Sequence, residues 1–165
     1  MIYSFFVPFV VLSFIRVIRV SPKGDPCLKT TFQFRSTLLT YLLMKHKELT
    51  GRIIECAFRV HKNLGFGFLE SVYQNALLIE LIKAGLKAEK EKKIQVDYDG
   101  EIIGDFVADI LVEEKVILEL KSVKDIHPAH EAQLINYLKA TEIEVGLLIN
   151  FGEKVEIKRK VLDQT

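Results

Sequence analysis

The sequence predicts an α/β domain in which helices pack against the faces of one β-sheet. Two segments with helical apolar spacing come first, the apolar period then changes to the alternation of strands, and one more helical segment interrupts those strands. The predicted order is α-α-β-β-β-α-β-β over residues 44–165, without repeats or low-complexity tracts. A half-apolar sheet needs helices on its faces to form a core, so we expect a compact α/β sandwich.

The first predicted helix covers residues 50–64, where apolar side chains recur three and four positions apart. Thr50 is expected to cap its start and Gly65 to end it. A second helix is predicted from about 69 to 84, with Gly85 as its stop. Its expected buried stripe consists of Val72, Ala76, Leu77, Ile79 and Leu81.

The next segments predict a meander of antiparallel strands. Residues 92–100 alternate like a half-exposed strand and end in Asp99-Gly100, a strong hairpin signal. Residues 101–112 and 115–123 continue the meander, and their turn is predicted at Glu114.

A third helix is predicted from Pro128, which suits a first helical turn, to about Thr141. Residues 144–151 are typical of a buried strand, and residues 154–162 of an alternating edge strand. These two strands complete the predicted sheet.

The composition is typical of a globular protein and not of a disordered one. A chain of 165 residues with 49% hydrophobic and 27% charged residues is typical of one globular domain. A formal charge of +1 gives no global basic field for nucleic acid. Cys27 and Cys56 lack metal-type spacing, and two isolated thiols favour a reducing cytoplasm over a disulfide framework.

The first 43 residues differ from the rest of the chain. They hold five basic residues and one acidic residue, whereas residues 44–165 carry a formal charge of −3. The uncharged run at 1–15 is shorter than the roughly 20 residues of a membrane span. We expect residues 1–43 to be an extension outside the working domain, with Met44 as an alternative start; an N-terminal membrane anchor is the rival interpretation.

Two carboxylates are predicted to face each other across the second hairpin. A turn centred on Glu114 places Asp109 opposite Glu119, with Cβ atoms roughly 5 Å apart. Lys121 lies two residues beyond Glu119 and therefore projects from the same face. Such a face can hold Mg²⁺, which prefers one or two carboxylates together with water and phosphate oxygens. The alternative is a salt-bridged strip that faces solvent.

These residues carry a resemblance to a known family. Asp109 followed by Glu119-Leu120-Lys121 resembles the signature of PD-(D/E)XK nucleases, although Ala108 stands where the name has proline. The run "GFLESVY", residues 67–73, is similar to the pattern that names the GxxExxY proteins. The resemblance covers roughly residues 46–162 and implies a PD-(D/E)XK nuclease-like (restriction endonuclease-like) core.

The resemblance also implies roles for individual residues. Asp109 and Glu119 would bind Mg²⁺, or Mn²⁺ as a substitute, with the carbonyl of Leu120 as a further ligand. Lys121 would orient or deprotonate the attacking water and stabilise charge on the phosphorane. Glu70 would be a third carboxylate, unless it only interacts favourably with the helix dipole.

The helices contribute three further candidates. Gln133 and Tyr137 are spaced i, i+4 and resemble the Q-x-x-x-Y motif that borders the active site in exonuclease-like members; the alternative is a buried tyrosine beside an amide. Tyr73 would either hydrogen-bond a carboxylate or phosphate or simply pack.

The last predicted strand carries a basic run at 158–160. This run could contact a phosphate backbone, although such runs are more often only solvated.

The leading hypothesis is a Mg²⁺-dependent nuclease with DNA preferred over RNA as its substrate. The rival is a nuclease-fold module that binds nucleic acid or protein with little or no catalysis, because residues 44–165 offer little basic surface. A homodimer or a partner subunit could supply that surface.

Overall fold

The computed structural model describes residues 44–163. The predicted N-terminal extension and its rival, the membrane anchor, both fall on residues 1–43 and lie outside the described part, so the domain division stays a prediction. Within residues 44–163, no helix has the length and apolar character that a membrane crossing requires.

The element order agrees with the predicted order. Residues 44–163 contain three helices: α1 (Lys47–Leu64), α2 (Glu70–Lys83) and α3 (Pro128–Lys139). The five strands are β1 (Ala88–Tyr98), β2 (Glu101–Val112), β3 (Val116–Lys121), β4 (Val145–Phe151) and β5 (Val155–Val161).

The strands form one mixed sheet in the order β1-β2-β3-β4-β5. Strands β3 and β4 pair in parallel, and α3 makes the crossover between them. The other neighbours are antiparallel. The predicted fold class, a mixed sheet flanked by helices, is therefore confirmed.

Both faces of β3 are covered by helices. Leu118 and Leu120 belong to a cluster that includes buried residues of α1 and α2, whereas Ile117 packs with Leu134 and Leu138 of α3. Glu119 shares a face of β3 with Ile117, so its side chain lies on the side of the sheet that α3 covers. The predicted alternative of a salt-bridged strip facing solvent is therefore wrong. Glu119 itself is only 1% exposed.

Two predictions about helix detail are wrong. Helix α1 begins three residues before Thr50, whose buried hydroxyl donates to the carbonyl of Lys47 instead of capping the helix. In α2, Val72 and Ile79 are exposed. The face packed on the sheet is the one that carries Tyr73, Gln74, Leu77 and Leu81.

The two hairpins of the meander differ greatly in the extent of their pairing. Strands β1 and β2 pair along their whole length, from Ala88 with Val112 to Tyr98 with Glu101. Strands β2 and β3 pair only from Val112 with Val116 to Ile110 with Leu118, a register centred on Glu114 as predicted. Among the described residues, β2 thus pairs with β1 alone on the N-terminal side of Ile110.

Candidate active site

The site lies where β2 separates from β3. Continued by one position beyond its last pair, Ile110 with Leu118, the β2–β3 register would place Asp109 opposite Glu119. The Oδ2 atom of Asp109 accepts a hydrogen bond of 2.6 Å from the backbone N–H of Leu120. This side chain therefore bonds the β3 backbone just past the last backbone pair, one residue beyond Glu119.

Glu119 is held by one of its two oxygens. Lys121 donates a hydrogen bond of 2.6 Å to its Oε1 atom. The Oε2 atom is buried, and no hydrogen-bond partner reaches it within residues 44–163. Because a buried polar atom without a partner costs roughly 1–3 kcal/mol, this oxygen is suited to a ligand that the protein itself does not supply.

Glu70 approaches the same lysine from the other face of the sheet. It is the first residue of α2, and its Oε1 lies 3.7 Å from Nζ of Lys121. Its side chain is 42% exposed, so it can turn toward either solvent or the cluster. The structure brings Glu70, Asp109, Glu119 and Lys121 together at one end of β3.

The loop before α2 is fixed by a buried tyrosine. The hydroxyl of Tyr73 donates to the carbonyl of Gly65 at 2.9 Å and accepts from the N–H of Phe68 at 3.3 Å. Its ring is fully buried and stacks on Phe151, with centroids 4.6 Å apart. Gly67 has a positive φ of 98°, which favours glycine. Tyr73 therefore shapes the loop that positions Glu70, rather than binding a carboxylate.

Gln133 and Tyr137 lie on α3 and bond each other. The amide of Gln133 donates to the Tyr137 hydroxyl at 2.6 Å, and that hydroxyl donates to the carbonyl of Val107 at 3.3 Å. Burial raises the pKa of Tyr137, and the charges of Glu119 and Asp109 add to this rise. The pair borders the acidic cluster, but no described hydrogen bond joins them. The contacts are those of the predicted alternative, a buried tyrosine beside its amide neighbour.

Desolvation dominates the electrostatics of the cluster. Burial raises the pKa of Glu119 to about 7; Asp109 and Glu70 add to the rise, and the hydrogen bond from Lys121 opposes it. Burial also raises the pKa values of Asp109 and Glu70, against the opposing effect of Lys121. The pKa of Lys121 is raised as well: burial lowers it, but the bond to Glu119 and the other carboxylates outweigh burial.

The residues present fit a hard divalent cation with few protein ligands. Within residues 44–163, no three side chains of the His, Cys, Asp and Glu types stand close enough to form a ready-made metal cage. Asp109 nevertheless bonds the backbone N–H of Leu120, next to Glu119, and within residues 44–163 the second oxygen of Glu119 has no hydrogen-bond partner. Mg²⁺ is commonly held by one or two carboxylates and several waters, which matches this pair better than a closed cage.

The sequence reasoning missed three side chains that support the site. The amide of Gln74 donates to the carbonyl of Asp109 at 3.0 Å, and the hydroxyl of Ser122 donates to the carbonyl of Phe68 at 2.7 Å. The side-chain amide of Asn150 accepts a hydrogen bond from the backbone N–H of Val123 and donates one to the carbonyl of Val123. Gln74 lies four residues after Glu70, a spacing that placed it on the same helical face.

The basic run of β5 is largely engaged within the chain. Lys158 pairs with Glu156 at 2.9 Å, and Lys160 pairs with Glu131. Arg159 donates to a backbone carbonyl of Lys45. This run is therefore a poor phosphate-binding strip.

Comparisons with known proteins gave one family match and a structural neighbour. The sequence model described as the PD-(D/E)XK nuclease superfamily matches residues 47–160. A crystal structure of SSO0001 is similar, with 20% sequence identity, 57% of this chain and 52% of that chain covered, and a TM-score of 0.46. The match thus spans about half the length of that protein. No curated protein gives a significant match.

Proposed function

The chain belongs to the PD-(D/E)XK nuclease superfamily, and on this premise we propose that it is a Mg²⁺-dependent nuclease of the GxxExxY type, with DNA preferred over RNA. Superfamily membership suggests nuclease activity, and members generally use Mg²⁺ or Mn²⁺. The proposed location is the cytoplasm, as the two isolated cysteines predict.

One observation carries the proposal. Within residues 44–163, the buried Oε2 atom of Glu119 has no hydrogen-bond partner; this side chain lies near Asp109, and its pKa is raised to about 7. A fold that keeps an unpartnered carboxylate oxygen at the end of a core strand does so at a cost in stability. A bound cation would offset that cost by favouring the ionised form.

Each candidate residue has a role that its position allows. Asp109 and Glu119 would hold the ion, with the carbonyl of Leu120 and the half-exposed Glu70 as further ligands. When bound, Mg²⁺ supplies a Lewis acid for a phosphate oxygen and lowers the pKa of a water molecule. Lys121 would position the attacking water and neutralise charge on the non-bridging oxygens.

Gln133 and Tyr137 would complete the wall of the site. The Tyr137 hydroxyl holds β2 through Val107, two residues before Asp109. The half-buried Gln133 amide, held by that hydroxyl, would then face a phosphate or a metal-bound water.

The test is cleavage of labelled DNA and RNA in Mg²⁺, in Mn²⁺ and in EDTA. Asp109→Ala and Lys121→Ala are expected to lower the rate by at least about 100-fold, the usual effect of losing a group that stabilises developing charge. Matched controls are Asp105→Ala and Lys124→Ala, which remove exposed residues of the same types close by in the chain. Unchanged cleavage in both site variants, with the fold verified by circular dichroism, would refute the assignment.

A second candidate function is a nuclease-fold module that binds nucleic acid or protein with little or no catalysis. It is favoured over catalysis because residues 44–165, with a formal charge of −3, offer little basic surface to hold a duplex for cleavage, and because the described part has no three-carboxylate cage. A homodimer or partner subunit would then supply basic surface. Binding of nucleic acid in Mg²⁺ or Mn²⁺ without cleavage is the outcome that distinguishes this function.

A further inference from the structure

An exposed aromatic loop borders the proposed active site. Residues 65–69, here called the aromatic loop, connect α1 to α2 and end immediately before Glu70. Phe66 is 62% exposed, Phe68 is 47% exposed and Leu69 is 76% exposed. Large apolar side chains at this level of exposure add little to the core.

The aromatic loop is hydrogen-bonded to the end of β3 that carries Lys121. The Ser122 hydroxyl, one residue after Lys121, donates to the carbonyl of Phe68. The buried Tyr73 bonds the loop at two further points, and its ring meets the Phe68 ring edge-on with centroids 6.2 Å apart. The Phe68 backbone is therefore bonded to the strand end that carries Lys121, while nearly half of the Phe68 surface stays open to solvent.

The charge of the domain makes it poorly suited to gripping a duplex through phosphates. Many of its lysines are engaged by acidic neighbours; Lys87 pairs with Glu114, for example, and Lys92 with Glu89. The tip of the β1–β2 hairpin is acidic through Asp97, Asp99, Glu101 and Asp105. Phosphate contacts supply most of the sequence-independent affinity for duplexes, so this domain has to obtain affinity from another source.

Stacking on aromatic rings is a source of affinity that needs no net positive charge. A base stacked on an aromatic side chain contributes enough to change affinity from several-fold to about a hundred-fold per base. The face of a base is accessible only when the strand is unpaired, because a duplex keeps its bases stacked on one another. A fixed phenylalanine beside a phosphodiesterase site thus selects for unpaired strands.

We infer that the substrate is single-stranded or locally unpaired nucleic acid, with a base next to the scissile phosphate stacked on Phe68. Phe66 provides a second apolar surface on the same loop. This inference rests on the proposed nuclease function for the position of the scissile phosphate. Stacking itself can be measured without cleavage.

The binding experiment uses a single strand of about 12 nucleotides with one 2-aminopurine, and its duplex, in EDTA so that no cleavage occurs. Wild type is expected to bind the single strand at least about tenfold more tightly than the duplex and to change the 2-aminopurine emission. Phe68→Leu should weaken single-strand binding about fivefold or more and abolish the emission change, whereas Phe68→Tyr should restore both.

The matched control is Phe58→Leu, because Phe58 is 50% exposed on the outer face of α1 and lies outside the aromatic loop. If Phe68→Leu lowers the melting temperature, Phe66→Leu takes its place, since Phe66 is more exposed. Equal binding by the Phe58 and loop variants, or duplex bound as tightly as single strand, would overturn the inference.

The outcomes separate the inference from the proposed function. Cleavage in Mg²⁺ that is insensitive to Phe68 and Phe66 leaves the nuclease standing and removes the stacking site. Single-strand binding that depends on Phe68, without cleavage in any metal, keeps the stacking site and removes the nuclease. Dissociation of a dimer by the loop variants, measured by sedimentation, would show that a second copy of the chain covers these rings, and it would overturn the inference.

Discussion

Replacing Glu119 with glutamine in metal-free protein should change how stability depends on pH. Burial raises the folded-state pKa of this carboxyl from 4.5 to about 7. Folding therefore binds a proton at this group. The stability that the protonated carboxyl provides is complete below the unfolded pKa and is lost as the pH rises through the folded pKa.

The expected size follows from that shift. One pKa unit corresponds to about 1.4 kcal/mol, and most of the transition falls between about pH 5 and about pH 8. The free energy of unfolding of wild type, relative to Glu119→Gln, should therefore fall by about 2–3 kcal/mol across this window. Glu119 is 1% exposed, so solvent screening does not reduce this estimate.

The measurement is urea unfolding in EDTA at both pH values. The control is Glu114→Gln, because Lys87 lowers the pKa of the exposed Glu114, and both its folded and its unfolded pKa then lie below the window. The control difference should be nearly flat. A wild-type-minus-Glu119→Gln difference that is equally flat would show that Glu119 ionises normally and would refute the reasoning about its unpartnered oxygen.

Four other perturbations have expected outcomes. Mg²⁺ should raise the melting temperature more at about pH 8 than at about pH 6, and this pH dependence should vanish in Glu119→Gln, as read by thermal unfolding. Tyr73→Phe should cost about 1–2 kcal/mol in urea unfolding, because it removes both hydrogen bonds to the aromatic loop. Gly146→Ala should destabilise by about 1–3 kcal/mol, because the added Cβ would lie 2.7 Å from Leu134. Gly51→Ala should instead stabilise by about 0.5–1 kcal/mol, because within residues 44–163 nothing beyond its own helix lies within 4 Å of the added Cβ. Equal free energies of unfolding for the two variants would show that the packing around Gly146 is loose.

The sequence predicted the strands and the β2–β3 register because these depend on local signals. The turn at Glu114 determines which residues face each other, and the observed ladder is centred there. The buried face of α2 could not be predicted from spacing alone. That helix carries apolar residues all around its circumference, and only its packing on the sheet decides that Leu77 is buried and Ile79 is not.

The burial of Glu119 was also beyond the local pattern. Alternation shows that Glu119 and Lys121 share a face, but the burial of that face depends on α3, which packs beside β3 and follows it in the chain. The role of Tyr73 depends likewise on the loop conformation, since its partners are backbone groups five and eight residues away.

The separation of β2 from β3 at Asp109 sets unequal limits on insertions and deletions in the two hairpins. Asp109 and Glu119 are ten positions apart, and the tight turn at Glu114 lies midway between them. One residue inserted in that turn would shift the register by one residue and so turn Asp109 to the opposite face of the sheet. The Asp99-Gly100 end of the other hairpin lies beyond the point of separation. Length changes or a fused label at that end should be tolerated, whereas the turn at Glu114 should keep a constant length in any active variant.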